Sequence, residues 1–121
     1  MRKRILVVED QEDSRQIVRD LLTANDYEMT EAKNGEEALA AAAKERPDLI
    51  LMDIQLPVMD GYEATRRIKA DPSLISIPII AVTSYALSGD EEKARAAGCN
   101  DFVPKPYSPR QLLAKIREFL R

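Results

Sequence analysis

The sequence predicts an α/β domain of the (βα)5 kind, a five-stranded parallel sheet between two layers of helices. Three observations predict it. Apolar runs of strand length stand at 5–8, 49–52 and 79–82, with weaker ones at 27–32 and 101–104. Between and after them apolar residues take helical spacing, and four of the helical stretches open on a polar cap with an acid or amide three residues later. Strict alternation of strand and helix in 121 residues implies one sheet with right-handed crossovers.

Each element has its own reason. Ile5-Leu6-Val7-Val8 is unbroken apolar sequence, as suits a strand covered on both faces, and it ends in Glu9-Asp10. The first helix offers Ile17, Val18, Leu21 and Leu22 as its apolar face. Tyr27–Ala32 mixes polar with apolar residues and suits a sheet edge. Asn34 with Glu37 starts the second helix, whose apolar face is Ala38, Leu39 and Ala42. Leu49-Ile50-Leu51-Met52 is a second fully apolar strand, and it ends in Asp53. Asp60 with Glu63 opens the third helix; the strand Ile79-Ile80-Ala81-Val82 ends in Thr83.

Ser88 with Glu91 opens the fourth helix, 89–97, the least apolar of the five, with Ala94, Ala96 and Ala97 as its buried candidates. Gly98 follows as a left-handed terminator. Pro104 interrupts the last strand and assigns it to the other edge, because proline cannot donate to a ladder. Ser108 with Gln111, and Pro109 just inside, start the last helix, with Leu112, Leu113, Ile116, Phe119 and Leu120 on one face. With strands two and five at the edges, the order is the flavodoxin-like 2-1-3-4-5, a three-layer sandwich.

Composition narrows the function classes. Apolar residues make up 45% of the chain, enough for one core, and no apolar run approaches the ~20 residues of a membrane span. The basic start at residues 1–4 precedes too short an apolar stretch for a signal peptide. Cys99 is the sole cysteine, so no internal disulfide forms and a reducing, cytoplasmic setting is expected. There is no histidine, which excludes imidazole metal sites and any histidine general base within the chain. Residues 1–60 carry 14 acids and 8 bases, residues 61–121 carry 7 and 10; without aromatic platforms or an Arg-rich helix this gives no warrant for nucleic-acid binding.

The chemistry gathers at strand ends. Order 2-1-3-4-5 sets strands one and three side by side, so Glu9, Asp10 and Asp53 meet at their carboxyl ends, beside the point where such sheets bind ligands. Three close carboxylates repel, and a hard divalent cation relieves them. Mg2+ fits better than Ca2+, since it needs few protein oxygens and keeps waters and phosphate as its other ligands. Thr83 adds a hydroxyl, Lys105 an ammonium, and Pro106 fixes the lysine's direction, with a cis bond as one way of doing so. A carboxylate nucleophile, a metal, a hydroxyl and an ammonium are the parts of in-line phosphoryl transfer.

Taken in order along the whole chain, these residues resemble the response-regulator receiver domains of two-component signalling. The resemblance rests on Glu9-Asp10, on Asp53 in Leu51-Met52-Asp53-Ile54-Gln55-Leu56-Pro57, on Asp60-Gly61, on Thr83-Ser84 and on Lys105-Pro106. It implies that Asp53 accepts a phosphoryl group from the phosphohistidine of a sensor histidine kinase or histidine phosphotransfer protein. Asp10, Asp53 and the Gln55 carbonyl would hold Mg2+ (Mn2+ as substitute), with Glu9 acting through water. Thr83, Ser84 and Lys105 would hold the phosphoryl oxygens, Phe102 would be the switch aromatic, and Gln55 and Tyr85 would tune phosphoryl lifetime. The family's aromatic is often tyrosine; Phe102 offers no hydroxyl in either orientation. A bulky ring at Tyr85 would shield the phosphoryl group from water. Gly61 and Pro106 would be structural.

Within the family the chain is most similar to stand-alone receivers of the DivK-like cell-division or chemotaxis-regulator type, through Ile54-Gln55-Leu56-Pro57, Ala81-Val82-Thr83 and Gly89-Asp90-Glu91-Glu92. The last helix ends at Leu120-Arg121, so a single receiver over 1–121 with no output domain is expected, acting on a downstream protein. A monomer is expected, with a phosphorylation-linked dimer left open. It would be a switch rather than an enzyme, limited to self-phosphorylation and aspartyl-phosphate hydrolysis.

Other readings stay open at this level. A receiver cut from a hybrid kinase or multidomain regulator would read alike. A small aspartyl phosphatase of the haloacid-dehalogenase type wants a second Asp where Gln55 stands, and an FMN carrier wants a phosphate loop where Gln11-Glu12-Asp13 stands. A docking module without phosphorylation fits poorly with an intact pocket.

Overall fold

The computed structural model describes residues 2–83 and 90–120. Five strands and five helices alternate: β1 Arg4–Val8, α1 Glu12–Ala24, β2 Glu28–Ala32, α2 Gly35–Glu45, β3 Leu49–Asp53, α3 Gly61–Ala70, β4 Ile79–Thr83, α4 Asp90–Ala97, β5 Asp101–Pro104 and α5 Pro109–Phe119. All ladders are parallel and the order is β2-β1-β3-β4-β5. β1, β3 and β4 are interior strands, which is why their apolar runs are unbroken. β2 and β5 are the edges, as their polar residues and Pro104 require.

Alternation along each strand divides the core in two. Ile5, Val7, Leu49, Leu51, Ile80 and Val103 pack with Val18 and Leu22 of α1 and Leu112 and Ile116 of α5. Leu6, Val8, Ile50, Met52, Ile79 and Ala81 pack on the opposite side with residues of α2, α3 and α4. Extended by two residues, the first series reaches Glu9, Asp53 and Lys105. Strand periodicity thus brings both acids and the lysine to one face of the sheet.

The helix ends show which caps are reciprocal. Ser108 accepts from Gln111 N–H at 3.1 Å while the Gln111 amide oxygen accepts from Ser108 N–H at 3.0 Å. Asn34 and Asp60 each accept from the N–H three residues on, at 2.9 Å. Their partners go elsewhere. Glu37 accepts from Lys33 N–H at 2.9 Å, and Glu63 turns to Arg66 and Arg67, charged donors that outcompete a peptide N–H. The Ser88–Glu91 box lies outside the described residues. Gly98 closes α4 at φ +112°, with Cys99 N–H bonded to Ala94 O and Gly98 N–H to Arg95 O.

Two expected core residues face water. Ile17 is 63% exposed: α1 meets the sheet through Val18 and Leu22, and Ile17 lies on its flank. Among the described side chains of α4 the buried ones are Ala94 and Ala97, one turn apart, while Ala96 is exposed on the outer face.

Gly61 couples the end of β3 to the start of α3. Its N–H bonds Ile54 O at 3.0 Å, and a Cβ there would collide with the Asp53 carbonyl oxygen and come within 2.7 Å of Ile54 Cα. Both obstacles are backbone, so no side-chain rotation relieves them. Gly61→Ala is expected to destabilise the fold by about 1–3 kcal/mol, the usual range for overpacking, read as a lowered urea midpoint. A midpoint equal to wild type would contradict this close approach.

Candidate functional site

At the carboxyl end of the sheet, Glu9, Asp10 and Asp53 offer carboxylate oxygens that all lie within 4.8 Å of one another. Glu9 and Asp53 are buried and Asp10 is exposed, so the cluster opens to solvent on one side. Lys105 reaches it from beyond β5. Its Nζ donates to Glu9 Oε1 at 2.8 Å and stands 3.5 Å from Asp53 Oδ2. The Lys105–Pro106 peptide is cis, and Lys105 N–H donates to Thr83 O at 2.7 Å.

Each acid sits in a different balance. Asp53 is 6% exposed, and burial drives its pKa up to about 6; the Gln55 N–H, donating to Oδ1 at 3.0 Å, opposes this, and the Glu9 charge reinforces it. Burial also works against the Glu9 charge. There the Lys105 ammonium and the Gln11 N–H outweigh it and hold the carboxyl below its ordinary value. Asp10 is raised, by partial desolvation and then by its neighbour Glu9. Lys105 is raised because Glu9 and Asp53 together overcome the cost of burying its charge. One ammonium therefore serves two of three carboxylates.

That donor set fits a hard divalent cation: acid oxygens close together, incompletely neutralised, one side open to water. Glu9 is the least available of the three for direct ligation. Its oxygens are already taken by Lys105 and Gln11 N–H.

The hydroxyl and the aromatic lie on the other side of the sheet. Thr83, 2% exposed, ends β4 on the face of Ile79 and Ala81. Phe102, aligned with Ala81 across the β4–β5 ladder, packs against the core beneath α2, α3 and α4. It also lines an outer groove with Pro104, Pro106, Gln111 and Ala114. Acids and lysine thus occupy one face, while Thr83 and Phe102 occupy the face next to α4. Ser84 and Tyr85 lie outside the described residues.

Two neighbours were not foreseen from sequence. Tyr107 lines the small cavity beneath Glu9, Asp53 and Lys105, and burial raises its hydroxyl pKa. The alternation that placed Lys105 on this face continues through Tyr107 and would have found it. Arg15, 4% exposed, is buried on α1 and donates from Nη1 to the Glu9 carbonyl oxygen at 2.8 Å. Its spacing with Val18 and Leu22, one face of a helix, was the available signal.

Comparison with known proteins agrees with this geometry. A family model described as the response regulator receiver domain matches residues 5–117. The polar-differentiation response regulator DivK of Brucella anthropi is 46% identical over 120 residues, covering 99% of this chain and 98% of that protein. The same regulator of Brucella ovis is 44% identical over the same coverage. Among solved structures, the receiver domain of a sensor histidine kinase from Pseudomonas aeruginosa, with a magnesium ion in its active-site cleft, is 38% identical. Its TM-score is 0.92, covering 99% of this chain and 98% of that one. Chemotaxis protein CheY4 of Vibrio cholerae is 30% identical, with a TM-score of 0.92, 98% of this chain and 99% of that one covered. With nearly the whole chain matched, the order β2-β1-β3-β4-β5 in place and an acidic cluster at the sheet's carboxyl end, this chain belongs to the response regulator receiver domain family.

Proposed function

We propose that this receiver domain takes a phosphoryl group onto Asp53 from the phosphohistidine of a sensor histidine kinase or histidine phosphotransfer protein. One observation carries the reading: Asp53 is buried between Glu9, Asp10 and Lys105, with its pKa near 6, so at neutral pH it is an ionised but poorly solvated nucleophile. An Asp53 oxygen attacks phosphorus, the P–N bond to the donor imidazole breaks, and the electron pair leaves with the ring nitrogen. The product is an acyl phosphate on Asp53. Asp10, Asp53 and the Gln55 carbonyl would hold Mg2+, or Mn2+ in its place, with Glu9 through water. The cation would neutralise charge on the transferring oxygens.

Lys105 already stands 3.5 Å from Asp53 and would turn from Glu9 toward the new phosphoryl oxygens. Thr83 and Ser84 would bind them from the β4 side. Gln55, whose side-chain Nε2 is buried without a partner among the described residues, has a donor for tuning phosphoryl lifetime alongside Tyr85. Thr83 and Phe102 share the sheet face covered by α4, whose buried side chains among the described residues are the small Ala94 and Ala97. Little burial means little anchoring, so the surface of α4, β5 and α5 is the one we expect to change and meet the downstream protein. By likeness to the Brucella regulators, polar differentiation is the pathway class.

Incubation with acetyl phosphate and Mg2+ is expected to add one phosphoryl mass to wild type and none to Asp53→Ala, by intact mass spectrometry. Absence of an Asp53-dependent adduct across several donors would overturn the central reading. Hydrogen exchange over α4 and β5 is expected to rise or fall on phosphorylation; identical exchange would rule out this output face.

The raised Asp53 pKa also has a sign in stability. A carboxyl whose folded pKa lies above its unfolded value contributes fully below about 4 and loses that contribution as pH rises through about 6. In metal-free buffer Asp53→Asn is therefore expected to be the more stable protein at pH 7.5, by on the order of 1–2 kcal/mol after solvent screening. That gain should shrink toward pH 4.5. Added Mg2+ should raise the melting temperature of wild type and scarcely that of the variant. A gain independent of pH would refute the desolvated-acid account.

A further inference from the structure

We propose that Arg15 is a positioning residue for the metal-binding acids: it grips the Glu9–Asp10 peptide so that both carboxylates face Asp53. The inference rests on the Mg2+ reading above. Arg15 is 4% exposed, on the α1 face that carries Val18 and Leu22 into the core. A buried guanidinium needs a reason and partners. Its Nη1 donates to the Glu9 carbonyl oxygen at 2.8 Å, its Nε to Glu31 Oε1 on β2 at 3.0 Å, and its Nη2 to Glu12. Glu31 is held in turn by Arg19, whose Nε donates to its second oxygen at 3.1 Å.

The Glu9 backbone is thereby fixed from both sides. Its N–H donates to Ala32 O on β2 at 3.0 Å, and its C=O accepts from Arg15. The plane of that carbonyl is the peptide joining Glu9 to Asp10. Holding it sets the directions in which the two side chains leave the chain, one toward Lys105 and both toward Asp53. Glu9 lies one residue past the end of β1, where β2 still holds its N–H. Arg15 supplies the matching constraint on its carbonyl. A lysine could reach one of the three acceptors and could not hold all of them, because its donors radiate from a single nitrogen.

Charge and position make opposite predictions here. Removing the cation beside the Glu9 carbonyl would, on electrostatics alone, leave Mg2+ binding equal or tighter; losing the grip on Glu9–Asp10 disfavours it. Mg2+ affinity of the unphosphorylated full chain is to be titrated by calorimetry for wild type, Arg15→Gln and Arg15→Lys, with urea midpoints recorded for each. Positioning predicts a dissociation constant raised about tenfold in both variants, the lower range for losing a group that orients metal ligands. Saturating Mg2+ should restore phosphorylation from acetyl phosphate. Affinity equal to or tighter than wild type in a folded variant would overturn the inference. Should Arg15→Gln fail to fold, Arg15→Lys, which keeps the charge, decides alone by the same criterion. A wild type that binds no Mg2+ would instead remove the metal reading itself, and is distinguished by the same titration.

Discussion

Everything at the mouth of this sheet turns on one shortage of positive charge. Glu9, Asp10 and Asp53 stand together, and Lys105 is the ammonium within reach of the two buried ones. It spends its shorter contact on Glu9, so Asp53 keeps a charge it can barely support. That unequal sharing makes one acid a settled ion-pair partner and leaves the next, the proposed nucleophile, unsettled. The same shortage makes the cluster receptive to a cation and to any group that rearranges where charge sits. The proposed chemistry and signalling thus begin from one electrostatic feature.

The fold was legible because its signals are short-range and repeat. Unbroken apolar runs named the interior strands, Pro104 and the polar residues of 28–31 named the edges, and caps marked the starts of helices. The site was legible for a related reason. Residues that alternate along a strand stay on one face, so once Ile5, Val7, Leu49, Leu51 and Val103 are inside, Glu9, Asp53 and Lys105 must converge. Only the neighbour relation of β1 and β3 had to come from topology.

What escaped the sequence was mostly a matter of a single helical register or of choice among partners. Ile17 and Ala96 read as core because apolar residues sit beside them, yet a rotation of about 100° per residue carries each to the flank. Capping boxes foretold the first hydrogen bond correctly and the reciprocal one in a single described case, since Glu63 had two arginines to prefer. Arg15 was passed over because a charge in an apolar stripe reads as a break in the pattern. It is instead where the pattern was put to use.

Gly61 has a consequence for the direction in which a signal can leave. The peptide between Asp53 and Ile54 is pressed against the first turn of α3 with no room even for a methyl group. The proposed acceptor is therefore mounted on an anvil. Under the proposed phosphorylation, the backbone beneath the added group would have nowhere to recoil. The displacement would then fall to neighbours with less support. β5 is an edge strand and α4 buries small side chains among the described residues, whereas β1 and β3 are each paired on both sides. A rigid support on one side of a chemical event is what gives its mechanical output a direction.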